Sequence, residues 1–200
     1  ERSVDGNPWC FSEGKLFQID IGTRRILKTI DVSRGKKVQV FTSSRTRSLR
    51  DKRGNLWYGA YDLGLLNVNL ATSRVKNYHY LSPVGGFNRV RSIAQGSGDS
   101  LWIGAVEHGL MKFDPASGRF LKTPFVRAAN VMKDRDGRIW ITTEGDGLDI
   151  YDPVAGTTNH VYSDPSNPSS LSRNLTWVTY EDPSGRIWVG AGTVVNLWNP

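Results

Sequence analysis

The stretch "GRIWITTEGDGLDIYDP" (137–153) decides the fold, because "GNLWYGAYDLGLLNVNL" (54–70) and "DSLWIGAVEHGLMKFDP" (99–115) repeat it. In all three a tryptophan follows Leu or Ile, and a Gly-Leu pair comes shortly after it. Two of the three close on an aromatic-Asp-Pro. Looser copies surround Trp9 and Trp188, so the repeats centre on Trp9, Trp57, Trp102, Trp140 and Trp188. The spacings between these tryptophans are 48, 45, 38 and 48 residues. A period of about 40–50 residues belongs to propellers and other repeat arrays, not to one mixed core.

Each copy divides into strands. In the fourth, "NVMKD" (130–134) leads through the turn "RDG" to "RIWITT" (138–143), and the link "EGDG" leads on to "LDIYD" (148–152). The turn "PVAG" (153–156) then opens "TTNHVY" (157–162). Short β-rich runs parted by Asp-Gly, Pro and Gly turns are the signature of consecutive hairpins. The expected fold is therefore all-β: a β-propeller fragment of four-stranded antiparallel blades. The tryptophan strand scarcely alternates apolar and polar residues, as expected when both faces are covered. Trp57, Trp102, Trp140 and Trp188 are thus read as structural core between blades, in preference to a sugar-stacking platform.

Counting strands gives roughly three complete blades and two partial ones over residues 1–200. The first copy lacks an innermost strand and the last an outermost one. The expectation is a piece of a larger propeller, with self-association through its ends where blade faces and sheet edges lie open. No run of 18 apolar residues occurs. The single cysteine, Cys10, cannot make an internal disulfide or a cysteine-based zinc site.

The fifth copy, "SDPSNPSSLSRNLTWVTYEDPSGRIWVGAG" (163–192), and the "DRDGRIWITTEGDGLDIYDPVAG" before it closely resemble the two-component regulator propeller repeat. The shared pattern is Asp-x-x-Gly-x-Leu/Ile-Trp-x-Gly-Thr, then Gly-Gly/Asp-Gly-Leu, then aromatic-Asp-Pro. Ala60, Ala105 and Ala191 replace its usual Thr, and Asp99-Ser100 its usual Gly-Asn. The resemblance implies an extracytoplasmic, periplasmic ligand-sensing module of a membrane-anchored bacterial signalling protein of the hybrid histidine kinase type, responding to oligosaccharides. Any kinase or cyclase output lies outside these 200 residues, so no catalytic residue and no cofactor is expected here. An interaction scaffold is the non-enzymatic alternative. The enzymatic one is virginiamycin B lyase, whose repeats share the turn and tryptophan strand but not the Gly-Leu-x-x-aromatic-Asp-Pro half.

His79, His108 and His160 lie in different copies without metal-ligand spacing, so no metal is expected. Glu107, Glu144 and Asp146 cluster in the link after the tryptophan strand, where turn material is the simpler reading. The net charge of +7 raises nucleic acid as a partner. The basic residues are nevertheless spread over every blade, and a solvated rim is favoured over nucleic acid.

A four-stranded meander puts its second link and the blade-to-blade connections on one side. Those connections vary most, as "SPVGGFNR" (82–89) against "SDPSNPSSLSR" (163–173), and variable loops on a rigid scaffold are where binding is most easily built. Arg89 and Arg127 both lie 13 residues before their tryptophan, with Arg47, Arg91 and Arg173 nearby. These five arginines are the candidate ligand-binding residues. Converging side chains of this type would hold carboxylate or sulfate groups, which suggests an acidic oligosaccharide.

Overall fold

The computed structural model describes residues 6–33, 35, 48–60, 63–80, 89–105 and 108–198. Among them every regular element is a strand, and each strand pairs antiparallel with its neighbour in sequence. The first sheet is β1 (Trp9–Ser12), β2 (Lys15–Ile19) and β3 (Ile26–Asp31). The second is β4 (Ser48–Arg50), β5 (Asn55–Ala60), β6 (Gly64–Asn69) and β7 (Val75–Tyr78). The third is β8 (Val90–Gln95), β9 (Leu101–Ala105), β10 (Gly109–Asp114) and β11 (Arg119–Lys122). The fourth is β12 (Asn130–Lys133), β13 (Ile139–Thr142), β14 (Leu148–Asp152) and β15 (Thr157–Val161). The fifth is β16 (Thr176–Glu181), β17 (Ile187–Ala191) and β18 (Val194–Trp198). Three four-stranded and two three-stranded meanders match the expected blade count, with the tryptophan strand second in each complete blade.

The chain forms two compact units, Glu1–Arg89 and Val90–Pro200. In the N-terminal unit the first two sheets enclose Trp9, Leu16, Ile30, Leu56, Leu66 and Val68, with Tyr58 stacked on Phe11 at 4.3 Å. Trp57 is buried and stacks on Tyr78 of its own sheet at 5.8 Å.

The C-terminal unit shows why the tryptophan strand is apolar on both faces. Trp102 of the third sheet packs with Val131, Ile139 and Ile141 of the fourth and meets Tyr151 edge-on at 6.0 Å. Trp140 turns to the opposite face of the fourth sheet, where it meets Leu171, Ile187 and Val189. Trp198 stands edge-on to it at 5.5 Å. The strand between these two layers, β13, is buried at all four positions. Trp140 is completely buried, whereas Trp188 is half-buried. Its side of the fifth sheet also carries the exposed Tyr180, Val195 and Leu197.

Three described turns before the tryptophan strand share one anchor. Asp51, Asp134 and Asp182 each accept a hydrogen bond from the indole Nε1 of Trp57, Trp140 and Trp188, at 2.9, 2.8 and 3.0 Å. The same carboxylates accept the backbone N–H of Asn55, Arg138 and Arg186 and a side-chain N–H from those residues. The first residue of the Asp-x-x-Gly-x-Leu/Ile-Trp pattern thus ties its turn to the core. At Asp51 burial pushes the carboxyl up, but hydrogen bonds from Asn55, Trp57 and Arg53 outweigh it and the net shift is downward.

Candidate functional site

The site is built on the link between β13 and β14, Thr143 to Gly147. Gly147 must be glycine. Its φ is 86°, and a Cβ there would stand 2.3 Å from the carbonyl oxygen of Val161. Gly64 and Gly109, which precede Leu in the other full copies, share the positive φ. The link is then pinned by hydroxyls. Thr143 Oγ1 donates to the Gly147 carbonyl at 2.9 Å and accepts the Asp146 N–H at 3.0 Å. From the fifth sheet, Thr176 Oγ1 donates to the same carbonyl and accepts the Thr143 N–H, while the Gly147 N–H donates to Asn174 O.

This pinning presents two carboxylates. Glu144 sits in the left-handed region at φ 59°, an uncommon place for a non-glycine residue. It accepts a hydrogen bond from Arg91 Nη1 of β8 at 2.5 Å. Two residues on, Asp146 Oδ2 lies 2.9 Å from Arg127 Nη1, and Arg127 belongs to the connection into β12. Arg91, Arg127, Ala128, Ala129, Thr143 and Glu144 line a cleft of about 220 Å³. The Arg91–Glu144 pair is about one-third exposed, 36% and 33%, and the Arg127–Asp146 pair about 60%, 60% and 62%.

Two of the five arginines named from the sequence therefore come together, on the side where the link and the connections meet. Arg173 lies elsewhere. It is exposed, and its Cδ stands 2.5 Å from where a Cβ of residue 192 would be, so it lies over the β17–β18 link at Gly192. Arg89 is half-buried directly before β8, at the end of the N-terminal unit. Arg47, and Glu107 of the third blade's link, fall outside the described residues.

Arg91 and Arg127 each carry a carboxylate, so Glu144 and Asp146 are ion-pair partners as well as turn material. Two acids one residue apart on the arginine side are the sequence signal for such pairing. A larger space of about 400 Å³ lies beside β18, lined by Val161, Pro168, Leu171, Val189, Asn196 and Trp198 among others. It has no charged side chain in its lining and borders a sheet edge that no described strand covers. Of the histidines, His160 pairs through Nδ1 with Asp149 Oδ1 at 2.5 Å, outside the cleft. No group of three metal-ligating side chains occurs among the described residues.

No family model matches the chain, and no curated protein does. Solved structures do. The extracellular domain of BT4673 from B. thetaiotaomicron, described both as a one component system and as a hybrid two component system, superposes at a TM-score of 0.77. The identity is 19%, over 96% of this chain and 26% of that one. The extracellular domain of the B. thetaiotaomicron hybrid two component system BT3049 gives 0.73 at 24% identity, over 98% and 26%. Virginiamycin B lyase from Staphylococcus aureus gives 0.67 at 13% identity, over 99% and 68%. The fold is that of β-propeller blades. The chain spans about a quarter of the length of these two extracellular domains, 26% of each.

Proposed function

We propose that this chain is part of an extracytoplasmic ligand-sensing propeller in a bacterial two-component signalling protein of the hybrid histidine kinase type. The observation that carries the reading is the pairing of the repeat pattern with the structural likeness to the extracellular domains of BT4673 and BT3049. These resemble the chain more than the lyase does, by TM-score and by identity. In this reading the 200 residues are a stretch of a larger propeller. The parent protein is anchored in the inner membrane with this part in the periplasm, and the signal is an oligosaccharide.

The ligand is proposed to bind at the cleft between Arg91, Arg127 and Glu144. A concave site framed by a few fixed polar groups on a rigid β scaffold suits orientation-specific recognition. Signalling chemistry belongs to other domains, and this part of the protein acts by binding alone. Neither a cofactor, a metal nor nucleic acid enters the proposal.

The test is binding. An oligosaccharide panel screened by calorimetry is expected to yield a ligand whose affinity falls at least about tenfold in Arg91→Ala/Arg127→Ala, since charge-assisted hydrogen bonds are lost. Loss of the more exposed Arg127–Asp146 pair should cost only about 0–1 kcal/mol, and circular dichroism checks that the double variant is folded. Unchanged affinity in the double variant would remove the cleft from the proposal.

A further inference from the structure

The sequence led to the expectation of an anionic ligand held by arginines. The cleft has a different charge. Each of its two guanidiniums already carries a carboxylate, Glu144 within the lining and Asp146 just outside it, so the formal charges of the two pairs cancel. We infer that Glu144 and Asp146 select against anions and that this cleft takes an uncharged, polyhydroxylated unit about one ring in size. The inference rests on the proposed sensor reading for its site and changes the class of ligand.

The physical argument begins with the link. The Glu144 backbone is held in a left-handed conformation, and its neighbour Thr143 is fixed through Gly147, Asp146 and Thr176. The carboxylates therefore leave from a fixed backbone. An incoming carboxylate or sulfate would have to displace Glu144 from Arg91 or crowd beside it. Displacement strands a partly buried negative charge without its partner, and crowding sets like charges side by side. The arginines cannot welcome an anion without that cost.

An uncharged hydroxyl faces no such exclusion. Each guanidinium has N–H donors beyond the one used in its ion pair, and each carboxylate retains acceptor capacity on its second oxygen. Adjacent hydroxyls can accept from an arginine and donate to a carboxylate while the ion pairs stay closed. The volume agrees. At about 220 Å³ the cleft is smaller than the roughly 300–1,000 Å³ of drug-sized pockets, which fits a single ring-sized unit in the cleft.

The experiment uses one skeleton with and without charge, trigalacturonic acid and its fully methyl-esterified form, titrated calorimetrically at low ionic strength. The proteins are wild type, Glu144→Gln/Asp146→Asn, and the single Glu144→Gln. The double variant frees both guanidiniums. It is expected to bind trigalacturonate at least about tenfold more tightly than wild type, with no comparable gain for the ester, because charge-assisted bonds to the arginines become available. Circular dichroism confirms that each variant is folded, and the single variant should show a smaller gain of the same sign. Wild type binding trigalacturonate more tightly than its methyl ester would overturn the inference. So would a folded double variant that gains nothing, since the carboxylates would then not be what excludes the anion. Both results are independent of whether the oligosaccharide panel yields a ligand, so failure of the sensor reading remains separately visible.

Discussion

In the fourth blade the turn from β12 to β13 is organised by a carboxylate, Asp134, which accepts bonds from the Trp140 indole and from Arg138. The third blade makes the corresponding turn with Gly96 at that position. There the backbone and small hydroxyls do the organising. Gly96 N–H donates to Ser100 O at 2.7 Å, Ser100 Oγ donates to Ser97 O at 2.7 Å, and Gln95 Nε2 bridges to Gly98 O and Ser100 O. The space for an anchor has closed: a Cβ at residue 96 would stand 2.4 Å from Ser100 Oγ and 2.8 Å from Ser100 O. Blade geometry thus tolerates either solution, but the two are not interchangeable residue by residue. A repeat motif marks positions of shared shape, and the side chain that supports the shape can change.

The largest effect expected in this comparison comes from the ring itself. Trp140→Ala should cost about 3–5 kcal/mol, as truncation of a large buried aromatic does. Trp188→Ala, removing a half-buried ring that carries the same kind of aspartate bond, should cost clearly less. Denaturant unfolding of both variants measures the gap, and equal losses would show that burial between sheets is not what distinguishes them.

Next comes the anchor. Asp134→Ala leaves the Trp140 N–H buried without its acceptor and should cost about 1–3 kcal/mol. The reciprocal change, Gly96→Asp, should fail to stabilise the third blade because the turn has no room for the new Cβ. A raised melting temperature for Gly96→Asp would mean that the two turns do interconvert.

The smallest effect is a pH dependence. The Trp188 hydrogen bond lowers the Asp182 carboxyl, and although burial works the other way, bonds from Arg186 help bring it to about 2 from a usual value of 3.8. A depressed carboxyl contributes stability that is fully present above the unfolded value and is lost as pH falls toward the folded one. Melting temperature should therefore decline between about pH 4 and pH 2. Asp182→Asn should remove part of that decline, and an identical acid profile in the variant would disprove the assignment.

The tryptophan spacing and the turn residues made most of the fold legible. The boundaries read for the fourth copy fall within a residue or two of β12 to β15. Turn chemistry is local, so a single sequence reports it well. The site was half legible. Arg127 could be placed on the correct side because strand count alone fixes which loops share a side. Its partner could not be placed the same way, and the pairing of Arg91 with Glu144 spans 53 positions and two sheets. Which charges meet depends on side-chain reach after the sheets have packed. The role of the motif's aspartate as an indole acceptor was hidden for a related reason: the bond forms only once the turn brings residues six apart face to face.

The edge-on contact of Trp140 and Trp198 has an optical consequence. Two indoles from neighbouring sheets, held 5.5 Å apart at 83°, have their electronic transitions in strongly asymmetric proximity. Such a pair generates a coupled ultraviolet dichroism band that a lone tryptophan does not. The fourth and fifth sheets thereby carry their own spectroscopic gauge, and its amplitude reads how firmly one is seated on the other without any added label.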